Sequence, residues 1–272
     1  MKTKTISILG CGWYGLPMAK RLLQSGFKVK GSTTSQAKLA LLEQHGIEPY
    51  LLDAAVNNFD EDFFACDILI ISIPPKVNSS QISYPKKIGY IALAAQKAHV
   101  KQIILISSTG VYQDENFVVN EDILPQPNTD SGKALIEAEV MLQSNVFFTS
   151  TILRFGGLIG PERNLAKHFA GKTGIANGLA PINLIHLTDC IGITEAIISQ
   201  NAFGKIYHGV TPSHPSRKDF YTEACIATGL EKPVFIAELL NWKQIEGKNV
   251  PEVLAYEYVF NKWGKYFKTL AN

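Results

Sequence analysis

Three glycines stand close together near the start of the chain, in the order Gly10-Cys11-Gly12-Trp13-Tyr14-Gly15. Between a strand and a helix, this spacing serves an anion. The first glycine makes the tight turn, the second lets the backbone approach a pyrophosphate, and the third lets the helix pack on the strand. The amide end of the helix then faces the negative charge. Residues 5–9 read as a strand just before the loop, and residues 16–25 as an amphipathic helix just after it. Pro17 suits a first helical turn, where its missing N–H is not needed. This setting predicts a nicotinamide dinucleotide held at Gly10, Gly12, Trp13, Tyr14 and Gly15.

The next chemistry lies at the end of the second strand, Lys30-Gly31-Ser32-Thr33-Thr34-Ser35. A site that prefers NAD places Asp or Glu here to hold the ribose hydroxyls, and this chain has none. The small hydroxyls of Ser32, Thr33 and Thr34, followed by Lys38, suit a 2′-phosphate instead. NADP is therefore the preferred cofactor, with NAD as the alternative. Asp53 ends the third strand, either reaching the adenine side or standing as an exposed loop carboxylate. Ile73 and Pro74 close the fourth strand and would form the cofactor wall.

The elements that must position these residues follow from the pattern of apolar runs. Strands are predicted at 5–9, 28–31, 48–52, 68–73, 102–107, 147–154 and 205–210, and helices at 16–25, 36–45, 86–99, 133–143 and 189–199. Their alternation predicts an α/β chain with a doubly wound Rossmann fold and a six- to seven-stranded, mostly parallel sheet. Near-continuous Ile and Leu in the fourth and fifth strands fits burial on both faces. We divide the chain into a nucleotide-binding core, 1–155, and a remainder, 156–272. The remainder supplies the last sheet elements, about 182–210, and a small substrate lobe with a helix-rich tail. Ser216-Arg217-Lys218-Asp219 has capping-box spacing and is expected to start a helix ending near Gly229.

Composition narrows the function classes. The formal net charge is +2 with basic residues scattered, which gives no electrostatic case for nucleic acid or a membrane surface. Cys11, Cys66, Cys190 and Cys225 lie far apart, without C-x-x-C spacing, so neither a disulfide framework nor a metal site is spelled out. The first ten residues hold too few apolar side chains for a secretory signal, and no apolar run approaches bilayer length. A cytoplasmic protein, monomer or homodimer, with a small-molecule substrate is the expectation.

The glycine loop with Pro17-Met18-Ala19 also matches the opening of β-hydroxyacid dehydrogenases, which continue into an all-helical second domain. Here the fifth strand runs instead into Ile106-Ser107-Ser108-Thr109-Gly110-Val111-Tyr112 and Val119-Asn120-Glu121-Asp122. Further on come Leu153-Arg154-Phe155-Gly156-Gly157-Leu158-Ile159-Gly160-Pro161 and Ile185-His186-Leu187-Thr188-Asp189. That succession resembles the extended short-chain dehydrogenase/reductase superfamily, specifically its NAD-dependent epimerase/dehydratase family, over nearly the whole chain. The family's glycine motif is usually G-x-x-G-x-x-G, so G-x-G-x-x-G is similar to the atypical branch.

The resemblance implies a Tyr-x-x-x-Lys pair on the helix after the fifth strand, where the phenol exchanges a proton with substrate as hydride moves at the nicotinamide. This chain has Pro127-Asn128-Thr129-Asp130-Ser131-Gly132-Lys133-Ala134-Leu135-Ile136-Glu137-Ala138-Glu139. If Lys133 is the motif lysine, Thr129 holds the tyrosine position. If Glu139 sets the register, Ser131 and Leu135 hold the two positions. Neither register has a tyrosine, so a proton-transfer step that contributes about 10²- to 10⁴-fold lacks its usual group. Ser108, four residues before Tyr112, matches the family serine that hydrogen-bonds the reacting oxygen; otherwise it is a polar strand end. Lys133, Tyr112 and His186 are the candidates to replace the acid, with Lys133 also a ribose ligand and Tyr112 expected to pack its ring beside the nicotinamide loop.

The remaining readings are structural or shared with substrate. Arg163 follows Gly160-Pro161 in the loop where the resemblance implies basic residues that reach substrate phosphates or carboxylates, or else it forms a surface ion pair. Arg154 is expected to bury its stem against the cofactor cleft, and Asp189 or Thr188 to cap a helix. The function implied is an NAD(P)-dependent oxidoreductase or epimerase/dehydratase acting on a small polar or sugar-like substrate. The alternative is a non-catalytic NAD(P)-binding sensor.

Overall fold

The computed structural model describes residues 3–75 and 82–271. In chain order the elements begin with β1 (Thr5–Leu9), α1 (Gly15–Gln24), β2 (Lys28–Thr33), α2 (Leu39–Gln44), β3 (Glu48–Leu51), α3 (Glu61–Phe64), β4 (Ile68–Ile71), α4 (Tyr84–Lys97) and β5 (Gln102–Ser108). They continue with β6 (Phe117–Val119), α5 (Asp130–Gln143), β7 (Thr149–Phe155), β8 (Gly157–Ile159), α6 (Ala166–Phe169), β9 (Leu184–His186), α7 (Leu187–Ser199) and β10 (Ile206–Gly209). Last come α8 (Arg217–Ala227), β11 (Lys243–Ile245), α9 (Asn249–Leu254) and α10 (Trp263–Leu270). All seven strands and five helices expected from the apolar pattern are present, each within a few residues of the predicted ends.

The chain forms two units, each from three segments: Met1–Val111, Pro125–Arg154 and Thr194–Ile206 in the first, and Tyr112–Leu124, Phe155–Ile193 and Tyr207–Asn272 in the second. In the first, the strand order is β7-β5-β4-β1-β2-β3, and β10, whose first residue Ile206 belongs to this unit, extends the sheet to seven strands. β1 pairs parallel with β2 on one side, Ile8 opposite Gly31, and with β4 on the other, Ile8 opposite Ile70. β4 pairs parallel with β5, Ile70 opposite Ile104. The chain moves outward from β1 through β2 to β3, then crosses back to β4. The boundary of β1 and β4 is thus the switch point where a ligand crevice opens at the carboxyl ends of the strands.

Burial explains the strand composition. Ile68, Leu69, Ile70 and Ile71 are all at most 1% exposed, as a central strand covered on both faces requires. α1 buries Met18, Ala19 and Leu22 on one stripe. α5 starts three residues earlier than predicted because the Thr129 hydroxyl accepts the Gly132 N–H and caps it. Among the described residues no helix is long and apolar enough to cross a membrane.

The second unit contains two small parallel pairs, β6 with β11 and β8 with β9. Its core gathers Ile159, Ile182, Leu184, Phe220, Tyr221, Phe235, Phe260, Trp263 and Tyr266. Ser216 caps α8 through the Asp219 N–H, at the expected place, and Gly229 follows the helix end with φ +65°. Two buried carboxylates tie the loops of this unit. Glu121 accepts the backbone N–H groups of His208, Lys248 and Asn249. Asp189 accepts those of Val259 and Phe260 and the Tyr256 hydroxyl. Asp189 is therefore no helix cap; it holds the segment that precedes α10.

Candidate functional site

The first unit carries a crevice of about 450 Å³ at the carboxyl ends of β1, β2, β3 and β4. Of the residues predicted for cofactor binding, Gly10, Gly12, Ser32, Thr33, Thr34, Asp53, Ile73 and Pro74 all line it, together with Lys38, Ser72 and Lys87. A larger groove of about 640 Å³ between α3 and α4, walled by Phe59, Phe64, Tyr90 and Leu93, contains none of the motif residues. The chemistry-bearing loop decides between them.

The loop is shaped by close contacts. Gly10 has φ +101°, a conformation that favours glycine. A Cβ on Gly15 would lie 2.2 Å from the Gly10 carbonyl oxygen, so only glycine lets α1 approach β1 this closely. A Cβ on Gly12, in contrast, would meet nothing within 4 Å. The space over Gly12 is open, which is the cradle that a pyrophosphate needs, and α1 has no acidic residue in its first turn to repel it. The residues present fit a dinucleotide. Cys11 faces inward against Gly31, where a Cβ would lie 2.7 Å from its sulfur. Burial pushes its thiol up to about 12, so it stays protonated and inert.

Hydrogen bonds fasten the loop to its neighbours. The Gly10 N–H donates to the Ser32 hydroxyl at 3.0 Å, the Cys11 N–H to the Ser32 carbonyl at 2.7 Å, and the Ser72 hydroxyl to the Gly10 carbonyl at 2.7 Å. Thr33 accepts the Ser35 N–H. Ser32 and Thr33 are buried and serve the turn, whereas Thr34 and Lys38 are exposed at the crevice. Asp53, the one acid among the described residues that line the crevice, accepts the Ala55 N–H at 2.8 Å in a local turn.

Other predicted residues lie elsewhere. Tyr14 is buried, with its hydroxyl 2.8 Å from the Thr194 hydroxyl, so the phenol packs the loop onto α7 rather than facing the crevice. Trp13, half-buried beside it, and Gly15 are in the loop but do not line the crevice. Ser108 is half-buried at the end of β5, its hydroxyl accepting the Gly110 N–H at 3.0 Å. Lys133 is exposed on α5. Leu135 is buried in the alternative register, and Thr129 is used as the cap.

Tyr112 does not offer its ring to a nicotinamide loop. It is 3% exposed, and its hydroxyl lies 2.9 Å from His208 Nε2 within the second unit. His186 is a poor replacement acid. The Thr188 N–H donates to its Nδ1 at 3.2 Å, which requires an unprotonated nitrogen there, and burial pushes its pKa down to about 4. Arg154 does not lean on the cofactor cleft. Its guanidinium pairs with Glu139 at 2.6 Å, both side chains at most 3% exposed, and the Ser107 hydroxyl donates to the same carboxylate. Arg163 is exposed after β8, its N–H donating to the Gly160 carbonyl.

Residues 10–178 match the model of a family described as NAD(P)H-binding. The chain belongs to this family. Over 265 residues it is 33% identical to Protein YeeZ of Escherichia coli strain K12, covering 94% of this chain and 96% of that one. Among solved structures, a functionally unknown conserved protein from Silicibacter pomeroyi matches with a TM-score of 0.82 at 19% identity, over 98% of each chain. UDP-glucuronic acid 4-epimerase from Bacillus cereus, in complex with NAD, matches with a TM-score of 0.77 at 18% identity, over 98% of this chain and 100% of that one. The Rossmann fold anticipated from the sequence is thus shared with both of these structures.

Proposed function

We propose that this protein is an NAD(P)-dependent oxidoreductase or epimerase/dehydratase of the short-chain type, acting on a small polar or sugar-like substrate and preferring NADP(H). The observation that carries the reading is the crevice, where an open glycine cradle continues into Thr34 and Lys38 with no acid at the end of β2. A carboxylate there would repel a 2′-phosphate, and an unpaired lysine attracts it. In this reading Gly10 to Gly15 and the α1 N-terminus hold the pyrophosphate. Ile73 and Pro74 wall the dinucleotide, and Asp53 faces its adenine end. Lys133 is the proposed ribose contact.

A bound nicotinamide supplies hydride exchange at its C4. The protein's part is to orient it, exclude water and hold the reacting oxygen. Ser108 is the proposed hydrogen-bond partner of that oxygen, and Arg163 the proposed contact for an acidic substrate group. The likeness to an epimerase of a nucleotide sugar makes such sugars the first substrates to test.

A second reading, a non-catalytic NAD(P)-binding sensor, draws support from α5, which presents no phenol in either register. One experiment addresses both. NADPH and NADH are titrated into the protein, and turnover is then assayed across ketones and nucleotide sugars with wild type and Ser108→Ala. Tighter NADPH binding, with turnover lost in Ser108→Ala at unchanged cofactor affinity, is expected. Binding without turnover on any substrate favours the sensor, and no binding of either dinucleotide overturns both readings.

A further inference from the structure

Lys87 lines the crevice although nothing in the glycine-loop pattern points to it. It stands in the first turn of α4, where the exposed amides carry partial positive charge and disfavour a cation. No acidic residue in that turn offsets it. Its neighbour Lys86 lies over the Tyr90 ring at 5.9 Å, while Lys87 is half-buried and lines the same cavity as Gly10, Gly12, Ser72, Ile73 and Pro74. Among the described residues Lys87 forms no ion pair, and neither does Lys38. The single acid among the described residues of the crevice, Asp53, stands beyond β3. Two cations without counter-charges thus face one cavity.

The sheet order separates these cations. Lys38 follows β2, Lys87 follows β4, and the glycine loop follows β1 between them. A dinucleotide across a switch point places its adenosine ribose at the end of β2 and its pyrophosphate over the loop after β1. We propose that Lys87 is a pyrophosphate ligand acting from the β4 side, opposite the α1 N-terminus, while Lys38 reads only the 2′-phosphate. Lys87 then contributes equally to both dinucleotides, and Lys38 discriminates between them. This assignment rests on the NAD(P) reading above.

Fragments of the cofactor separate the two roles. Full-length wild type, Lys87→Ala, Lys87→Arg and Lys38→Ala are titrated with ADP-ribose, which has the pyrophosphate alone, and with adenosine 2′-monophosphate, which has the 2′-phosphate alone. Lys87→Ala is expected to weaken ADP-ribose, NAD and NADP alike by roughly ten- to hundredfold, as for loss of a charged hydrogen bond, and to leave the 2′-monophosphate unchanged. Lys38→Ala is expected to do the reverse, and Lys87→Arg to restore most of the ADP-ribose affinity. If wild type binds ADP-ribose and Lys87→Ala binds it equally well, the assignment of Lys87 is wrong. Equal loss of both fragments in Lys87→Ala would also overturn it, by showing a disturbed crevice. A wild type that binds neither fragment nor either dinucleotide refutes the cofactor reading itself.

Discussion

The polar side chains of the crevice and those of the protein interior are arranged in opposite ways. In the crevice, Lys38 and Lys87 line the cavity without an ion pair among the described residues, and the backbone at Gly12 is left uncovered. In the interior, Arg154 is matched by Glu139, Asp189 by three donors, and Glu121 by three backbone N–H groups. A buried polar group that finds all its partners within the chain stabilises the fold, whereas groups left open in a cavity are available to a ligand. The interior groups should therefore report on stability alone and the crevice groups on binding alone.

The strongest test of that separation is Arg154→Met. It strands the Glu139 carboxylate in the interior, and a loss of about 3–5 kcal/mol in denaturant unfolding is expected. The folded fraction should bind NADPH as wild type does; a matching loss of affinity would break the comparison. Asp189→Ala comes next, at roughly 2–4 kcal/mol, because two backbone N–H groups and a tyrosine hydroxyl lose their acceptor. Hydrogen exchange at Val259 and Phe260 would locate the loss.

His186 sharpens the contrast through pH. Its folded pKa of about 4 lies below the ordinary 6.5, so between these values the unfolded chain takes up a proton that the folded chain refuses. Its contribution is complete above pH 6.5 and is lost as pH falls toward 4, with a slope of up to about 1.4 kcal/mol per pH unit. Urea unfolding across that range should show the slope in wild type and not in His186→Phe. The smallest change in stability is expected for Lys38→Ala and Lys87→Ala. Unfolding free energies within about 0.5 kcal/mol of wild type should accompany their binding defects. A larger fall would mean that these lysines hold the fold as the interior groups do.

How much of this was legible depends on the distance between partners. The loop from Gly10 to Gly15 needed only its flanking strand and helix, all within about twenty residues, and Ser216 announced its helix by a partner three residues away. β6, β8, β9 and β11 have three residues each and are paired through remote chain, as Lys243 with Phe117, so no local period marks them. Tyr14 and Tyr112 each looked like site residues beside a motif. Their hydroxyls proved to be engaged 180 and 96 residues away.

By itself the sequence determined the order of the seven central-sheet strands and of the helices between them, the anion-binding turn and the absence of an acid at the end of β2, because these depend on periodicity, glycine geometry and residue type. Only the tertiary structure decided which polar side chains are spent and which are open. It buried Arg154 against Glu139, turned Asp189 onto the segment before α10, and brought Lys87 to the same crevice as Lys38. Each outcome depends on a partner or a cavity wall supplied by a different element, and side-chain identity carries no record of that partner until the sheet is assembled.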